Sequence, residues 1–166
     1  MPDILVKLYE LPDDTETVAA LRTAGINIRN AMPYEKGQVL DWVSANFGRE
    51  WASEADVAFS AKPVSCIIAT EAGAIVGFAC YEATCRGYFG PTGVVAEKRG
   101  MGIGKALLIA AMRGLADMGY AYAVIGAAGP VEFYTRTLGA IPIPGSSPGI
   151  YRDRLKKTVL PPAATP

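Results

Sequence analysis

Hydrophobic residues follow two different periods along this chain. Between residues 13 and 59, and again at 102–118 and 131–138, apolar positions recur every three or four residues, as in amphipathic helices. Between residues 64 and 95, and at 120–127, they form short runs rich in β-branched and aromatic residues, bounded by glycine and proline, as in strands. The pattern therefore predicts a mixed α/β fold in which helices flank a sheet.

The expected elements alternate in a defined order. The expected strands span residues 4–11, 64–70, 74–83, 88–95 and 120–127, with two terminal strands at 140–144 and 149–152. The expected helices span residues 13–24, 31–47, 51–59, 102–118 and 131–138. Strands 64–70, 74–83 and 88–95 are expected to be antiparallel, and the helix after them predicts a right-handed parallel crossover to strand 120–127.

The strand at 88–95 carries an interruption, Gly90-Pro91-Thr92-Gly93. Pro91 cannot keep a full ladder because proline has no backbone N–H to donate. We therefore expect a bulge or a splay at this point of the sheet.

Composition narrows the class of protein. The chain has 166 residues, of which 51% are hydrophobic and 19% charged, so we expect one globular domain over residues 1–155 and a loose tail at 156–166. Sixteen basic and sixteen acidic residues cancel, which predicts neither a nucleic-acid partner nor an anionic membrane partner. No apolar run resembles a signal peptide or a membrane span, which favours a cytoplasmic location.

The chain contains no histidine. A histidine zinc site, a Ser-His-Asp triad and a Cys-His dyad are therefore excluded. Cys66, Cys80 and Cys85 do not have metal-ligand spacing, so we expect no metal and reduced thiols. An acyl-cysteine route through Cys80 or Cys85 would need an arginine or a dipole to lower the thiol pKa, and we do not favour it.

A glycine-spaced turn, VVAEKRGMGIGK at residues 94–105, leads into the helix at 102–118. Strand, glycines and a helix N-terminus together suit a phosphate or pyrophosphate, because free N–H groups and the helix dipole favour an anion. A Walker A loop is rejected because Ala106 follows Lys105 where Ser or Thr is required, and Lys105 also breaks the dinucleotide fingerprint. The simple alternative is a helix that begins after flexible glycines.

Three segments resemble the GNAT acetyltransferase superfamily. Arg99-x-x-Gly102-x-Gly104 resembles its R/Q-x-x-G-x-G/A pyrophosphate signature, and residues 94–100 resemble its V-x-P-E-x-R-G strand end, with Ala96 in place of proline. Residues 133–140 resemble its F-Y-x-x-x-G-F/A segment, and residues 143–151 are similar to a bacterial subgroup. The resemblance covers residues 4–152 and implies a GNAT fold: a mixed central sheet of about six to seven strands, splayed at the cofactor site and flanked by helices.

The resemblance also implies an activity: transfer of an acetyl group from acetyl-CoA to a primary amine of a small molecule, by direct attack in a ternary complex. It places the backbone N–H of Val94 or Val95 at the thioester oxygen, where an oxyanion donor contributes about 10²–10³ in rate. Lys98 is a further candidate for added positive charge beside the pyrophosphate. The implied acetyl-CoA site comprises Val94, Val95, Ala96, Arg99, Gly100, Met101, Gly102, Ile103, Gly104, Lys105 and Tyr134.

Two side chains are candidates for proton transfer. Tyr134 matches the family tyrosine that protonates the departing thiolate, and the alternative is a ring packed under the last helix. Glu82, at the end of a strand expected to border the cleft, is the first candidate for the general base, and the alternative is a solvated strand end. Glu35 and Asp41 are further candidates for binding a cationic acceptor, and Tyr34, Trp42 and Trp51 for lining its pocket, unless they pack in the core or an interface.

Several alternatives stay open at this point. Many relatives bind pantetheine through an asparagine after the strand at 120–127, where this chain has Ala127-Ala128-Gly129-Pro130. A CoA-binding or sensor module without turnover, and more distantly a general phosphate-binding protein, are therefore rival interpretations. The identity of the amine is open, and a homodimer through terminal strands is plausible.

Overall fold

A seven-stranded sheet forms the centre of the protein in the computed structural model, which describes residues 1–155. Its strand order is β2-β3-β4-β5-β6-β1-β7, and every neighbouring pair is antiparallel except β5 and β6. The strands are β1 (Ile4–Lys7), β2 (Ile26–Asn30), β3 (Cys66–Glu71), β4 (Ala74–Tyr81), β5 (Tyr88–Val94), β6 (Tyr122–Ile125) and β7 (Ile141–Pro142).

Five α-helices pack around the sheet: α1 (Thr15–Thr23), α2 (Lys36–Phe47), α3 (Arg49–Ala58), α4 (Ile103–Asp117) and α5 (Val131–Leu138). The longest, α4, connects β5 to β6, which are parallel as the sequence predicts. The mixed sheet with flanking helices therefore confirms the expected fold class. In the part of the chain that the structure describes, none of the helices combines the length and the hydrophobicity that crossing a bilayer requires.

The core has two layers, one on each face of the sheet. The larger is built on α4, whose stripe of Ile103, Leu107, Met112 and Leu115 is fully buried. The smaller lies under α2 and α3, and its largest fully buried side chain is Phe78 of β4. These two layers fix both faces of β4 and β5 and so hold the strands that border the splay.

Several elements differ from the sequence prediction in their bounds or their type. The first strand ends at Lys7, and a 3-10 helix (Leu8–Glu10) replaces the rest of residues 4–11, because its partner β6 extends only over the residues opposite 4–7. Helix α2 begins at Lys36 after a 3-10 turn (Pro33–Glu35). The strand predicted at 149–152 is wrong: Gly149–Tyr151 is a 3-10 helix.

The edge strand β2 was not predicted from the sequence. It pairs with β3 along its whole length, but only Ile26 is buried, so the alternation that marks a strand is faint. The terminal strand expected at 140–144 shrinks to the two residues of β7. The loose tail predicted at 156–166 lies outside the described residues.

Candidate functional site

Strand β5 is hydrogen-bonded on both sides only at its start. Tyr88 and Phe89 pair with Val124 and Ile125 of β6, and β6 then ends, whereas β5 continues to Val94 with β4 as its single partner. The β4–β5 register also shifts between Ala79 and Tyr81. The bulge or splay predicted from Gly90-Pro91-Thr92-Gly93 is therefore confirmed, as a gap between β5 and β6.

The ladder with β4 decides which main-chain groups face this gap. The N–H of Val95 donates to the carbonyl of Val76 at 3.1 Å, so Val95 and Val76 form a hydrogen-bonded pair. Hydrogen-bonded and non-hydrogen-bonded pairs alternate along an antiparallel ladder. Val94, opposite Gly77, therefore points its N–H away from β4 and towards the gap. Of the two oxyanion donors that the resemblance allowed, Val94 is free and Val95 is occupied.

The glycine turn lies at the mouth of the gap. Gly100 (φ +81°) and Gly102 (φ +90°) adopt left-handed backbone that side chains rarely tolerate, which explains why these two positions are glycine. Gly102 is the N-cap of α4, and the N–H groups of Ile103, Gly104 and Lys105 lie in the first turn of that helix, where no intrahelical partner exists. The turn thus presents a row of donors and the positive end of a helix dipole.

The basic side chains of Arg99 and Lys98 in this turn have different surroundings. Arg99 lines the cleft, and its Nε donates to the carbonyl of Val94 at 3.1 Å. Lys98 turns away, because its ammonium pairs with Glu71 at 2.6 Å. Met101 is exposed, and Ala96 belongs to a short 3-10 helix (Ala96–Lys98) between β5 and the turn.

Tyr134, on α5, lies across the gap from β5. Its side chain is 7% exposed, and its ring makes edge contacts with Phe89 and Phe133 at centroid distances of 6.4 and 5.1 Å. Burial raises the pKa of Tyr134 above its usual value of 10.0, so the phenol keeps its proton at neutral pH. Within residues 1–155, no group hydrogen-bonds to this hydroxyl.

These groups surround one cleft of about 500 Å³. The polar groups of its lining residues are main-chain N–H and carbonyl groups, the Arg99 guanidinium, the Tyr134 phenol, the Thr92 hydroxyl and the Trp51 indole N–H, and most of the wall is apolar. Lining residues are Met1, Phe47, Trp51, Phe89, Gly90, Pro91, Thr92, Gly93, Val94, Arg99, Gly104, Leu108, Ile125, Gly126, Ala127, Ala128, Gly129, Pro130, Phe133 and Tyr134.

Glu82 lies elsewhere. Its φ of +61° breaks the alternation of β4, so it does not continue the face of Phe78 and Cys80 as the sequence predicted. Its carboxylate accepts hydrogen bonds from the N–H of Gly87 and from the Tyr120 hydroxyl, and it borders a separate cavity beside α4. The structure therefore does not bring Glu82 together with Val94 and Tyr134, and the expectation that it borders the cleft was wrong.

The remaining candidate residues also lie in different parts of the structure. Trp51 lines the cleft, whereas Trp42 packs against Phe47 and Phe78, and Tyr34 is exposed at the surface. Glu35 lies outside the cleft. Both its carboxylate oxygens accept hydrogen bonds from the Arg29 guanidinium, at 2.6 and 2.8 Å.

The surroundings of Cys80 do not support a covalent route. Cys66 and Cys80 are buried opposite each other on β3 and β4, and burial raises the pKa of the Cys80 thiol well above its usual value. A raised pKa is the opposite of what a thiolate nucleophile needs.

The segment that follows β6 is anchored by the N-terminal residues. The N–H of Ala127 donates to the carboxylate of Asp3 at 2.8 Å, and that of Ala128 to the carbonyl of Pro2 at 2.9 Å. Both N–H groups are occupied where relatives carry an asparagine. The N–H groups of Ala127 and Ala128 are therefore not available to a ligand.

One contact of the cleft was missed by sequence reasoning. A Cβ on Gly93 would lie 2.5 Å from Cζ of Phe47, so the Phe47 ring sits directly on the backbone of β5. Phe47 in turn stacks on Trp51 at 5.5 Å. The apolar spacing of α2 predicted a buried Phe47, but its position over the open half of β5 depends on the α2–α3 turn.

The model of the acetyltransferase (GNAT) family matches residues 36–140. Comparison of the sequence with curated proteins found no significant match.

Three solved structures illustrate the structural similarity. The GCN5-related glucosamine N-acetyltransferase region of a fungal multi-domain GH3 β-N-acetylglucosaminidase superposes with a TM-score of 0.69 at 17% identity, over 86% of this chain and 19% of that one. A GCN5-related N-acetyltransferase from Sphaerobacter thermophilus gives 0.67 at 23% identity, over 86% and 48%. A GNAT family acetyltransferase from Brucella melitensis, solved with acetyl-CoA, gives 0.53 at 21% identity, over 67% and 80%. This chain thus spans less than half the length of the first two proteins.

Proposed function

From the premise that this chain belongs to the acetyltransferase (GNAT) family, we propose that it transfers the acetyl group of acetyl-CoA to a primary amine of a small molecule. The observation that carries the proposal is the open side of β5. There a free Val94 N–H, a glycine turn at a helix N-terminus and a neutral Tyr134 phenol border one cleft. The acetyl-CoA in the Brucella melitensis structure supports the choice of donor.

The residues of this chain fit an acyl-CoA donor in two places. The first-turn N–H groups of α4 suit the pyrophosphate, with Arg99 adding positive charge at the same mouth. The edge of β5 at Thr92 and Val94 suits the amide groups of pantetheine, because both residues direct their backbone N–H groups into the gap. Bound acetyl-CoA supplies an activated thioester carbonyl.

Two groups of the cleft assist the acetyl transfer. The Val94 N–H donates to the carbonyl oxygen as negative charge develops there. The Tyr134 phenol gives its proton to the sulfur as the C–S bond breaks, and the proton lost by the amine nitrogen restores it. Before the attack the acceptor ammonium gives one proton to water, so that overall an ammonium and the thioester give an amide, a free thiol and one proton.

The test is a thiol-release assay combined with calorimetry. We expect CoA to bind and at least one primary amine to be acetylated, with the acetamide identified by mass spectrometry. Binding of CoA without turnover of any amine would favour the sensor interpretation. No binding of CoA, alongside binding of another nucleotide, would favour a general phosphate-binding protein.

A further inference from the structure

One wall of the cleft contains a strained backbone position. Across the gap from the open half of β5, this wall is the connection between β6 and α5, residues 126–130. Within it Ala127 has a φ of +45°, in the left-handed region that a residue with a Cβ rarely adopts. A strained residue of this kind persists only where its surroundings hold it, and such residues cluster at functional sites.

The side chain that holds Ala127 is that of Asp3, immediately before β1. Its Oδ1 accepts the N–H of Ala127 at 2.8 Å, and only 5% of Asp3 is exposed. A hydrogen bond to a carboxylate is charge-assisted and stronger than a neutral one. The carbonyl of Pro2 accepts the N–H of Ala128 at 2.9 Å, so two successive amides of the wall are held by residues that are far away in sequence.

Asp3 is itself held in place by the segment at 143–151. Its N–H donates to Ser146 Oγ at 2.8 Å, and its carbonyl accepts the N–H of Ile143 at 2.8 Å. Ser146 Oγ donates in turn to the carbonyl of Ile143 at 2.7 Å. The segment IPGSSPGIY, which the sequence analysis singled out without a role, therefore fixes the backbone of the residue that holds the wall.

The residue before Ala127 is fixed by packing. A Cβ on Gly126 would lie 3.1 Å from Cε1 of Tyr88 and closer still to the hydroxyl of Tyr151, so both side chains pack on bare backbone. Tyr88 belongs to the paired start of β5. Three successive residues of the wall, 126–128, thus have fixed positions, and the strained one depends on a single carboxylate.

We infer that Asp3 is a positioning residue for the acyl donor. By holding Ala127 in left-handed backbone, it fixes the wall that faces β5 and with it the width of the channel for the pantetheine arm. Asp3 acts through Ala127, since it is not among the described residues that line the cleft. This inference rests on the proposed function and deepens it by assigning the support of its donor site.

The charge of Asp3 by itself predicts the opposite of this role. CoA is an anion, so removing a nearby negative charge should strengthen its binding. Weaker binding after the loss of Asp3 would therefore report the lost support of Ala127 and not the lost charge.

The experiment compares Asp3→Ala with Asp3→Asn by calorimetry of CoA binding. Both variants remove the same charge, but only asparagine keeps an oxygen that accepts the N–H of Ala127. We expect CoA to bind about 10-fold more weakly to Asp3→Ala and at most about twofold more weakly to Asp3→Asn. Adding Ala127→Gly to Asp3→Ala should recover about threefold in affinity, because glycine adopts left-handed backbone without a Cβ penalty.

A control separates this role from the loss of any carboxylate. Glu35 also accepts a backbone N–H, that of Met32 at 2.7 Å, but it lies outside the cleft. Glu35→Ala should therefore leave the affinity for CoA unchanged. All affinities are measured well below the Tm of the least stable variant, so that every chain compared is folded.

The outcomes distinguish this inference from the transferase proposal. Weaker CoA binding by Asp3→Ala that Ala127→Gly relieves supports the inference even where no amine is acetylated, a result that would contradict the transferase proposal alone. Equal affinity of Asp3→Ala and the natural chain, an equal loss in Asp3→Asn, or no recovery with Ala127→Gly would overturn the inference alone. No binding of CoA by the natural chain would overturn both.

A second variant keeps the test decisive where Asp3→Ala does not fold. Ser146→Ala removes the acceptor of the Asp3 N–H and leaves the carboxylate in the chain. It should weaken CoA binding about two- to threefold, and an unchanged affinity would then overturn the inference.

Discussion

The two halves of β5 differ in what their backbone does. In the first half, Phe89 is paired with β4 and with β6, and Tyr88 is paired with β6 and accepts a hydrogen bond from the N–H of Glu82, just after β4. In the second half, from Gly90 to Val94, β6 has ended and only β4 remains, so the N–H groups of Thr92 and Val94 face a cleft. The same strand thus uses its hydrogen bonds for folding in one half and leaves them for a ligand in the other.

The difference shows how a sheet makes a binding site without a dedicated loop. An unpaired backbone group buried away from water is costly, so the open half keeps access to solvent through the cleft. Packing on the opposite face, Phe47 on Gly93, holds the strand extended although one ladder is missing. The open half is therefore supported by side-chain packing where the first half is supported by hydrogen bonds.

The largest effect is expected at the phenol that faces the open half. Tyr134→Phe should lower the turnover number about 100-fold or more, because it removes the proton donor to the thiolate. Thermal stability should change little, since no group of residues 1–155 hydrogen-bonds to that hydroxyl. Tyr88→Phe, in the paired half, is the matched control and should retain activity. Equal turnover of Tyr134→Phe and the natural chain across pH would remove the role.

The packing that supports the open half can be broken directly. Gly93→Ala places a Cβ 2.5 Å from a Phe47 ring that is wedged among Trp42, Trp51 and Phe78. We expect the free energy of unfolding to fall by about 1–3 kcal/mol, measured by urea titration, with weaker binding of CoA. Gly37→Ala, where the same Cβ meets open space on α2, should be neutral or slightly stabilising. Equal stability of the two variants would contradict the role of Phe47.

A smaller effect is expected at the mouth of the open half. Arg99→Gln removes the hydrogen bond to the Val94 carbonyl and one positive charge beside the glycine turn. Since exposed charges contribute up to about 1 kcal/mol, CoA affinity should fall by about two- to fivefold and depend less on salt. Lys98→Gln is the control, because Lys98 pairs with Glu71 outside the cleft. The measurement is calorimetry of CoA binding at two salt concentrations. An equal loss of affinity in both variants would count against a specific contribution of Arg99.

The smallest effect is expected on stability at alkaline pH, where buried tyrosines lose their protons. The pKa values of Tyr88, Tyr134 and Tyr151 are raised above 10.0 by burial, to about 12 for Tyr151. The folded state holds these protons more tightly than the unfolded state, so the stability they provide is complete below pH 10 and is lost as pH rises towards 12. Thermal melts should show a constant Tm from neutral pH to pH 10 and a fall above it. The fall should be shallower in Tyr151→Phe, and an identical fall in that variant would refute the assignment.

Most of the fold followed from periodicity, and the misses have specific causes. Residues 102–118 and 131–138 carry wide apolar stripes, and the structure has α4 and α5 there. Strand β2 was missed because only Ile26 of its five residues is buried. Residues 149–152 contain β-prone Ile150 and Tyr151, but Gly149–Tyr151 form a 3-10 helix, in which the N–H of Tyr151 donates to the carbonyl of Pro148.

The parts of the candidate site that are formed by backbone could be predicted from the sequence. The parts formed by side chains that are distant in sequence could not. Pro91 and the glycines at 100 and 102 revealed the splay and the turn, because missing N–H groups and positive φ are local properties. The prediction that Glu82 borders the cleft was wrong because it extended the side-chain alternation of β4 through a residue whose φ is +61°. Asp3 was not considered, because a single aspartate before the first strand carries no local signal.

The sequence by itself determined the α/β architecture, the interruption of β5 and the glycine turn at the start of α4, since each rests on residues that are neighbours along the chain. Only the tertiary structure decided that the N–H of Val95 rather than that of Val94 pairs with β4, that Tyr134 lines the same cleft as Val94, and that Glu82 lies outside this cleft. The physical reason is that ladder register and helix docking are set by contacts between residues far apart in sequence, which no local pattern records.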